Sequence, residues 1–127
     1  MTKRMFFALF VLMLSYTFAS AQHTFVAEGP EKQYNQIRVV NETSQENFQC
    51  RVVVLDENDS LQKVYGVYNL NEKGDADSNT DKFPRGTKFG IQMPKNFPVE
   101  VDFMIEYKDI PLFDILIIHL YDKGSFE

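Results

Sequence analysis

The chain has 127 residues, 44% of them hydrophobic, with 13 basic against 18 acidic side chains and a formal net charge of −5. This length suits one domain and leaves no room for a second. The acidic balance, without any Lys/Arg cluster, excludes nucleic acid and anionic lipid as partners, since both bind through neutralisation of phosphate by bases.

Lys3 and Arg4 precede an apolar run from Met5 to Leu14, and a less apolar stretch ends in Ala19, Ser20 and Ala21. This is the charged, apolar and small-residue order of a secretory signal peptide, so residues 1–21 are expected to be removed and the mature protein to be exported. The apolar run is about half of the roughly 20 residues that a spanning helix needs, and no other segment suits a membrane. Cleavage takes away Lys3 and Arg4, leaving 11 basic against 18 acidic side chains and a net charge of −7. Residues 22–127 then form a single domain, secreted or, in a bacterium, periplasmic.

The first mature segment, 25–27, is short and closed by Glu28, Gly29 and Pro30, as an edge strand or a frayed end would be. A better strand covers 36–41, with Ile37, Val39 and Val40. Residues 42–47 connect it to a strand over 48–56, which places Cys50 on the same face as Phe48, Val52 and Val54. Cys50 is the one cysteine; no intrachain disulfide is available, and a small apolar core residue is the expectation for it. The cluster Asp56, Glu57, Asn58, Asp59 and Ser60 forms a turn into a strand over 61–70, in which Gly66 marks a bulge or close packing. After the polar segment 71–86 comes a short strand over 87–93, bounded by Pro94.

Residues 97–122 hold the clearest pattern. Val99, Val101, Phe103, Ile105 and Tyr107 alternate with Glu100, Asp102, Met104, Glu106 and Lys108, giving one buried and one wetted face. A tight connection at 109–112 leads to 113–122, which is apolar on both faces, with Leu116, Ile118 and Leu120 on one side and Ile115, Ile117, His119 and Tyr121 on the other. Such a strand belongs at the centre of a sheet. Sustained helical periodicity is missing throughout. The sum is an all-β protein, a small two-sheet antiparallel β-sandwich of six or seven strands, similar in general layout to immunoglobulin-like, transthyretin-like and C2-like sandwiches. The Cys…Trp…Cys spacing of immunoglobulin domains is absent.

Chemistry, where the sequence offers any, concentrates in 71–86. Asp75, Asp77, Asn79 and Asp81 recur at every second position, matching the first oxygen ligands of a calcium loop. The glycine and the closing glutamate of an EF-hand are replaced by Thr80 and Gly86, which excludes that motif and leaves a generic oxygen-rich loop. If strands reverse direction one after another, the connections at 42–47, 71–86 and 109–112 share one end, adding Asp109 to a candidate Ca²⁺ set of Asp75, Asp77, Asn79 and Asp81. A solvated loop explains the same residues. His119 is expected to be a core or subsurface histidine, and Gln22 with His23 would form a terminal copper site only without cyclisation of Gln22. Neither a catalytic triad, a zinc ligand pair nor a phosphate loop is found, and a pair of carboxylates for glycoside hydrolysis has no geometry to support it. Asn41-Glu42-Thr43 and Asn58-Asp59-Ser60 are glycosylation sequons. The expectation is a non-enzymatic binding module that presents an acidic loop end to a protein or glycan, with Ca²⁺-dependent binding or assembly through exposed strand edges as alternatives.

Overall fold

The structure is a computed structural model describing residues 18, 23–28, 34–71, 75–76, 83, 85–111 and 113–125. Eight strands follow in chain order: β1 (His23–Val26), β2 (Tyr34–Glu42), β3 (Phe48–Leu55), β4 (Leu61–Leu70), β5 (Asp75–Ala76), β6 (Lys88–Gln92), β7 (Val101–Ile110) and β8 (Phe113–Asp122). Among the described residues there is no helix, and so none long and apolar enough to cross a membrane. The strands form two four-stranded sheets, β1-β6-β3-β4 and β5-β2-β8-β7.

One core joins the sheets. Cys50, Val52 and Val54 of β3, Tyr68 and Leu70 of β4, and Phe89 and Ile91 of β6 meet Ile37 and Val39 of β2 and Leu116, Ile118 and Leu120 of β8. Each fully buried Leu or Ile contributes about 1.5–3 kcal/mol, so β8 alone supplies three large terms. The strand is central, as its composition demands, paired with β7 on one side and β2 on the other. Leu116, Ile118 and Leu120 face the core, and Ile115, Ile117, His119 and Tyr121 form its outer face. In β7 the expected alternation holds: Val101 is buried and Phe103, Ile105 and Tyr107 half-buried, while Met104, Glu106 and Lys108 are exposed. Cys50 is a buried free thiol in the core.

Three expectations are corrected. The two sheets are not purely antiparallel, because β2 pairs with β8 in parallel from Tyr34↔Phe113 to Glu42↔Tyr121. Parallel neighbours need a long crossover, and here β3 to β7 lie between them. Within the polar segment 71–86 lies the two-residue β5, which pairs with β2 at Arg38↔Ala76 and Val39↔Asp75. The β7–β8 pairing runs through Asp109↔Asp114 to Ile110↔Phe113, so residues 109 and 110 of the expected connection belong to the ladder, and β7 starts at Val101 rather than near Phe97.

The bulge expected at Gly66 is present. Gly66 pairs with Val52 and Val64 with Val53, so Tyr65 is an extra residue in β4; a second shift, from Val54↔Lys63 to Leu55↔Leu61, makes Gln62 another. The segment expected at 25–27 is the edge strand β1, paired with β6 from His23↔Ile91 to Val26↔Lys88. That pairing is prolonged by hydrogen bonds from Ala27 N–H to Thr87 O (2.9 Å) and from Gly86 N–H to Ala27 O (2.8 Å). Gly86 sits at φ 91°, a conformation that glycine takes without the Cβ clash of other residues.

The parallel pairing also fixes the two ends of the molecule. The connection 43–47 lies at one end, where Ser44 N–H donates to the Asp122 carboxylate at 3.2 Å and Phe48 packs edge-on against Phe97 at 4.6 Å. The β3–β4 and β7–β8 turns lie at the other, where Glu28 N–H donates to the Tyr107 hydroxyl at 2.9 Å. The segments 42–47 and 109–112 therefore do not share an end.

Candidate functional site

A concavity lies at the end carrying the β3–β4 turn. It is a cleft of about 890 Å³ between that turn, the first half of β4, the end of β1 and the segment Phe83 to Lys88. Val26, Val54, Leu55, Val64, Tyr65 and Phe83 give it an apolar lining; Asp56, Glu57, Lys63 and Lys88 are among its polar groups.

The turn that forms one wall is built by its own sequence. Asp56 Oδ1 accepts from Asn58 N–H at 2.8 Å and from Ser60 N–H at 2.9 Å, the local bonding for which Asp is favoured in turns. Asp59 takes the left-handed conformation at φ 62°, and its carboxylate pairs with the Lys88 ammonium, tying the turn to the start of β6. Beneath the cleft lies an aromatic cluster. Phe83 meets Phe89 at 5.1 Å and Tyr65 at 6.1 Å, both edge-on. Phe89 meets Tyr65 at 5.7 Å and stacks on Phe25 at 5.4 Å, and Phe25 reaches Phe103 of the facing sheet at 6.0 Å. Edge-to-face and offset pairs in this range add about 0.5–1.5 kcal/mol each beyond burial. The cleft thus rests on a rigid floor spanning both sheets.

Of the expected calcium ligands, Asp77, Asn79 and Asp81 lie outside the described residues. Asp75 is in β5, in register with Val39, Ile118 and Ile105, whereas Asp109 stands four residues farther along β7 and three strands across. With about 4.8 Å between strands and 3.3 Å per residue the two positions are roughly 19 Å apart, so they do not ligate one ion, whose oxygen ligands lie within about 2.6 Å of it. Asp109 instead faces the buried Asp114 across the rung before the β7–β8 turn. Among the described residues no group of three or more His, Cys, Asp or Glu is placed to hold a metal. Gln22 is outside the described residues, and the His23 ring packs edge-on against Phe103 at 5.7 Å. His119 is half-buried on the outer face of β8, with Nε2 3.6 Å from Glu106 Oε1.

The two sequons differ in their surroundings. Asn41 is 7% exposed; its Nδ2 donates to Gln45 O at 2.7 Å and its Oδ1 accepts from Thr43 N–H at 3.0 Å. An amide so occupied is closed to a glycan. Asn58 is exposed on the cleft rim.

Sequence reasoning passed over Lys63, Tyr65, Phe83, Lys88 and Val26 as site residues. One signal was available in Phe83, an aromatic residue within an otherwise polar connection, which is where a crossing segment pins itself to a core. What fold and site define together is an all-β protein of two sheets with one open, apolar-floored end. Neither the protein-family models, the curated proteins nor the solved structures hold a match to this chain.

Proposed function

We propose that the protein is a secreted, non-enzymatic binding module on a β-sandwich of immunoglobulin-like, transthyretin-like or C2-like general layout, and that it takes a protein or glycan ligand in the end cleft. The cleft carries this reading: a volume of about 890 Å³ lined by apolar and polar groups in about equal measure has room for a small ligand or a single side chain. Export is supported by the charged and apolar order of residues 1–21, and by β1 starting at His23, two residues past the junction at 21/22. Cleavage there leaves β1 whole. The reading differs from an acidic loop end in its centre, which moves from 71–82 to the β3–β4 turn and Phe83.

A second reading, assembly through strand edges, is favoured by β4, a ten-residue edge strand with exposed Leu61, Val64 and Val67. Selection from a peptide library and a glycan array on the immobilised protein tests the first reading. Binders whose signal disappears in Val26→Asp, a change at an exposed cleft position, are the expected result; binders indifferent to Val26→Asp, or none from either source, refute it.

A further inference from the structure

We infer that the ligand is a neutral carbohydrate, held in the end cleft with the C–H face of a sugar ring against Tyr65 and Phe83 and its hydroxyl groups on the polar wall. This rests on the binding-module reading and chooses between its two ligand classes by chemistry.

The aromatic floor supplies the stacking surface. Phe89 is fully buried, with Phe25 stacked on it. Tyr65 and Phe83 are half-buried and line the cleft. They meet each other at an interplanar angle of 82°, and they meet Phe89 at 90° and 80°. Rings set nearly at right angles touch edge to face, so Tyr65 and Phe83 each keep a face that no described ring covers. An aromatic face is negative, and the C–H groups on one side of a hexose, made positive by the neighbouring oxygens, stack on it. Strand β4 is shaped to present this surface: its two register shifts against β3 fall at Gln62 and Tyr65, both of which line the cleft, and bulges beside functional sites re-aim side chains in this way.

The polar wall decides between a sugar and an apolar side chain. The cleft is lined by polar and apolar groups in about equal measure. An apolar side chain would leave the polar half unpaired, which costs free energy, whereas each sugar hydroxyl both donates and accepts. Asn58, Gln62 and Lys63 offer N–H donors, and Glu57, Asn58 and Gln62 offer oxygen acceptors, all from exposed positions. Charge points to a neutral ligand. The cleft end holds Asp56, Glu57 and Asp59 against Lys63 and Lys88. Asp59 pairs with Lys88, and Asp56 accepts the N–H groups of its own turn, which leaves one carboxylate, Glu57, and one ammonium, Lys63. A charged ligand meets its like and its opposite together there and gains little. The volume of about 890 Å³ falls within the roughly 300–1,000 Å³ of small-ligand sites.

The test is a glycan array printed with neutral oligomers of glucose, galactose, mannose and N-acetylglucosamine, with sialylated and sulfated glycans beside them, probed with the fluorescently labelled protein. Signal is expected on at least one neutral series. It should fall about fivefold or more in Phe83→Leu, which keeps apolar area and loses the aromatic face, and likewise in Gln62→Ala. Met104→Ala, at an exposed position on the other sheet, should leave it unchanged. Far-UV circular dichroism and Tm confirm that the variants are folded; should Phe83→Leu not fold, Gln62→Ala, at an exposed position, carries the test alone. Signal confined to the acidic glycans, neutral-glycan signal indifferent to Phe83→Leu or to Gln62→Ala, or a blank array overturns the proposal. Peptide-library binders sensitive to Val26→Asp, alongside a blank array, reject this inference and leave the binding-module reading standing.

Discussion

Replacing Phe83 by alanine tests whether the crossing segment is pinned to the core beneath the cleft. The ring is half-buried and meets Phe89 and Tyr65 edge-on. Truncating a fully buried Phe costs about 3–5 kcal/mol, so half burial sets the loss near 2 kcal/mol, and the two ring pairs bring it to about 3 kcal/mol. For a chain of this size 1 kcal/mol moves Tm by about 4 °C, giving a fall of roughly 12 °C. Phe83→Leu keeps most of the apolar area and forfeits the ring pairs, for a loss of about 1 kcal/mol. Urea unfolding followed by far-UV circular dichroism measures both, with the midpoint shifting at constant slope. A loss below about 0.5 kcal/mol in Phe83→Ala is what surface substitutions show, and it would refute the packing argument and with it the rigid floor of the cleft.

Three further outcomes are expected. In Gly66→Ala the new Cβ meets the Tyr68 ring at 3.2 Å; because Tyr68 is buried, overpacking of about 1–3 kcal/mol outweighs a chain-entropy gain of about 0.4–1 kcal/mol, and unfolding that shows no loss of stability would contradict this. The hydrogen bond from Lys123 Nζ to Glu100 (2.9 Å) and their charge pairing hold the Glu100 carboxyl below its usual 4.5 and the Lys123 ammonium above its usual 10.5. Their contribution is therefore present between those values, is lost as pH falls below 4.5 through the depressed Glu100 value, and is lost again as pH rises past 10.5 through the raised Lys123 value; both side chains are exposed, so the effect is small and salt-sensitive. Titrating Tm at low salt should show a weaker acid limb in Glu100→Gln than in the parent, and an identical limb would count against the pair. Asp109→Asn should leave any difference in Tm between excess Ca²⁺ and chelator unchanged, since Asp109 stands roughly 19 Å from Asp75; a Ca²⁺ shift abolished by this variant would overturn the separation, whereas Asp77→Ala tests the segment 71–86 itself.

What the sequence determined by itself is the part of the structure governed by short-range periodicity. The strands at 48–55, 61–70 and 113–122, the buried face of β7, the place of Cys50 in the core and the bulge beside Gly66 all follow from which side chains alternate and where glycine interrupts them. These signals are local, because a strand's two faces are set by adjacent residues. Tertiary structure decided which strands became neighbours. The parallel pairing of β2 with β8 joins segments more than seventy residues apart, and nothing in 34–42 or 113–122 encodes the direction of a partner. That pairing separated 42–47 from 109–112 and removed Asp109 from the set that the chain order suggested. The cleft was equally out of reach, for it is made by a turn, a bulged edge strand and one aromatic residue of a polar connection, brought together from three places. The bulges decided the face on which Leu61, Val64 and Val67 lie: sequence spacing alone points them alternately in and out, and the two register shifts against β3 bring them into one row.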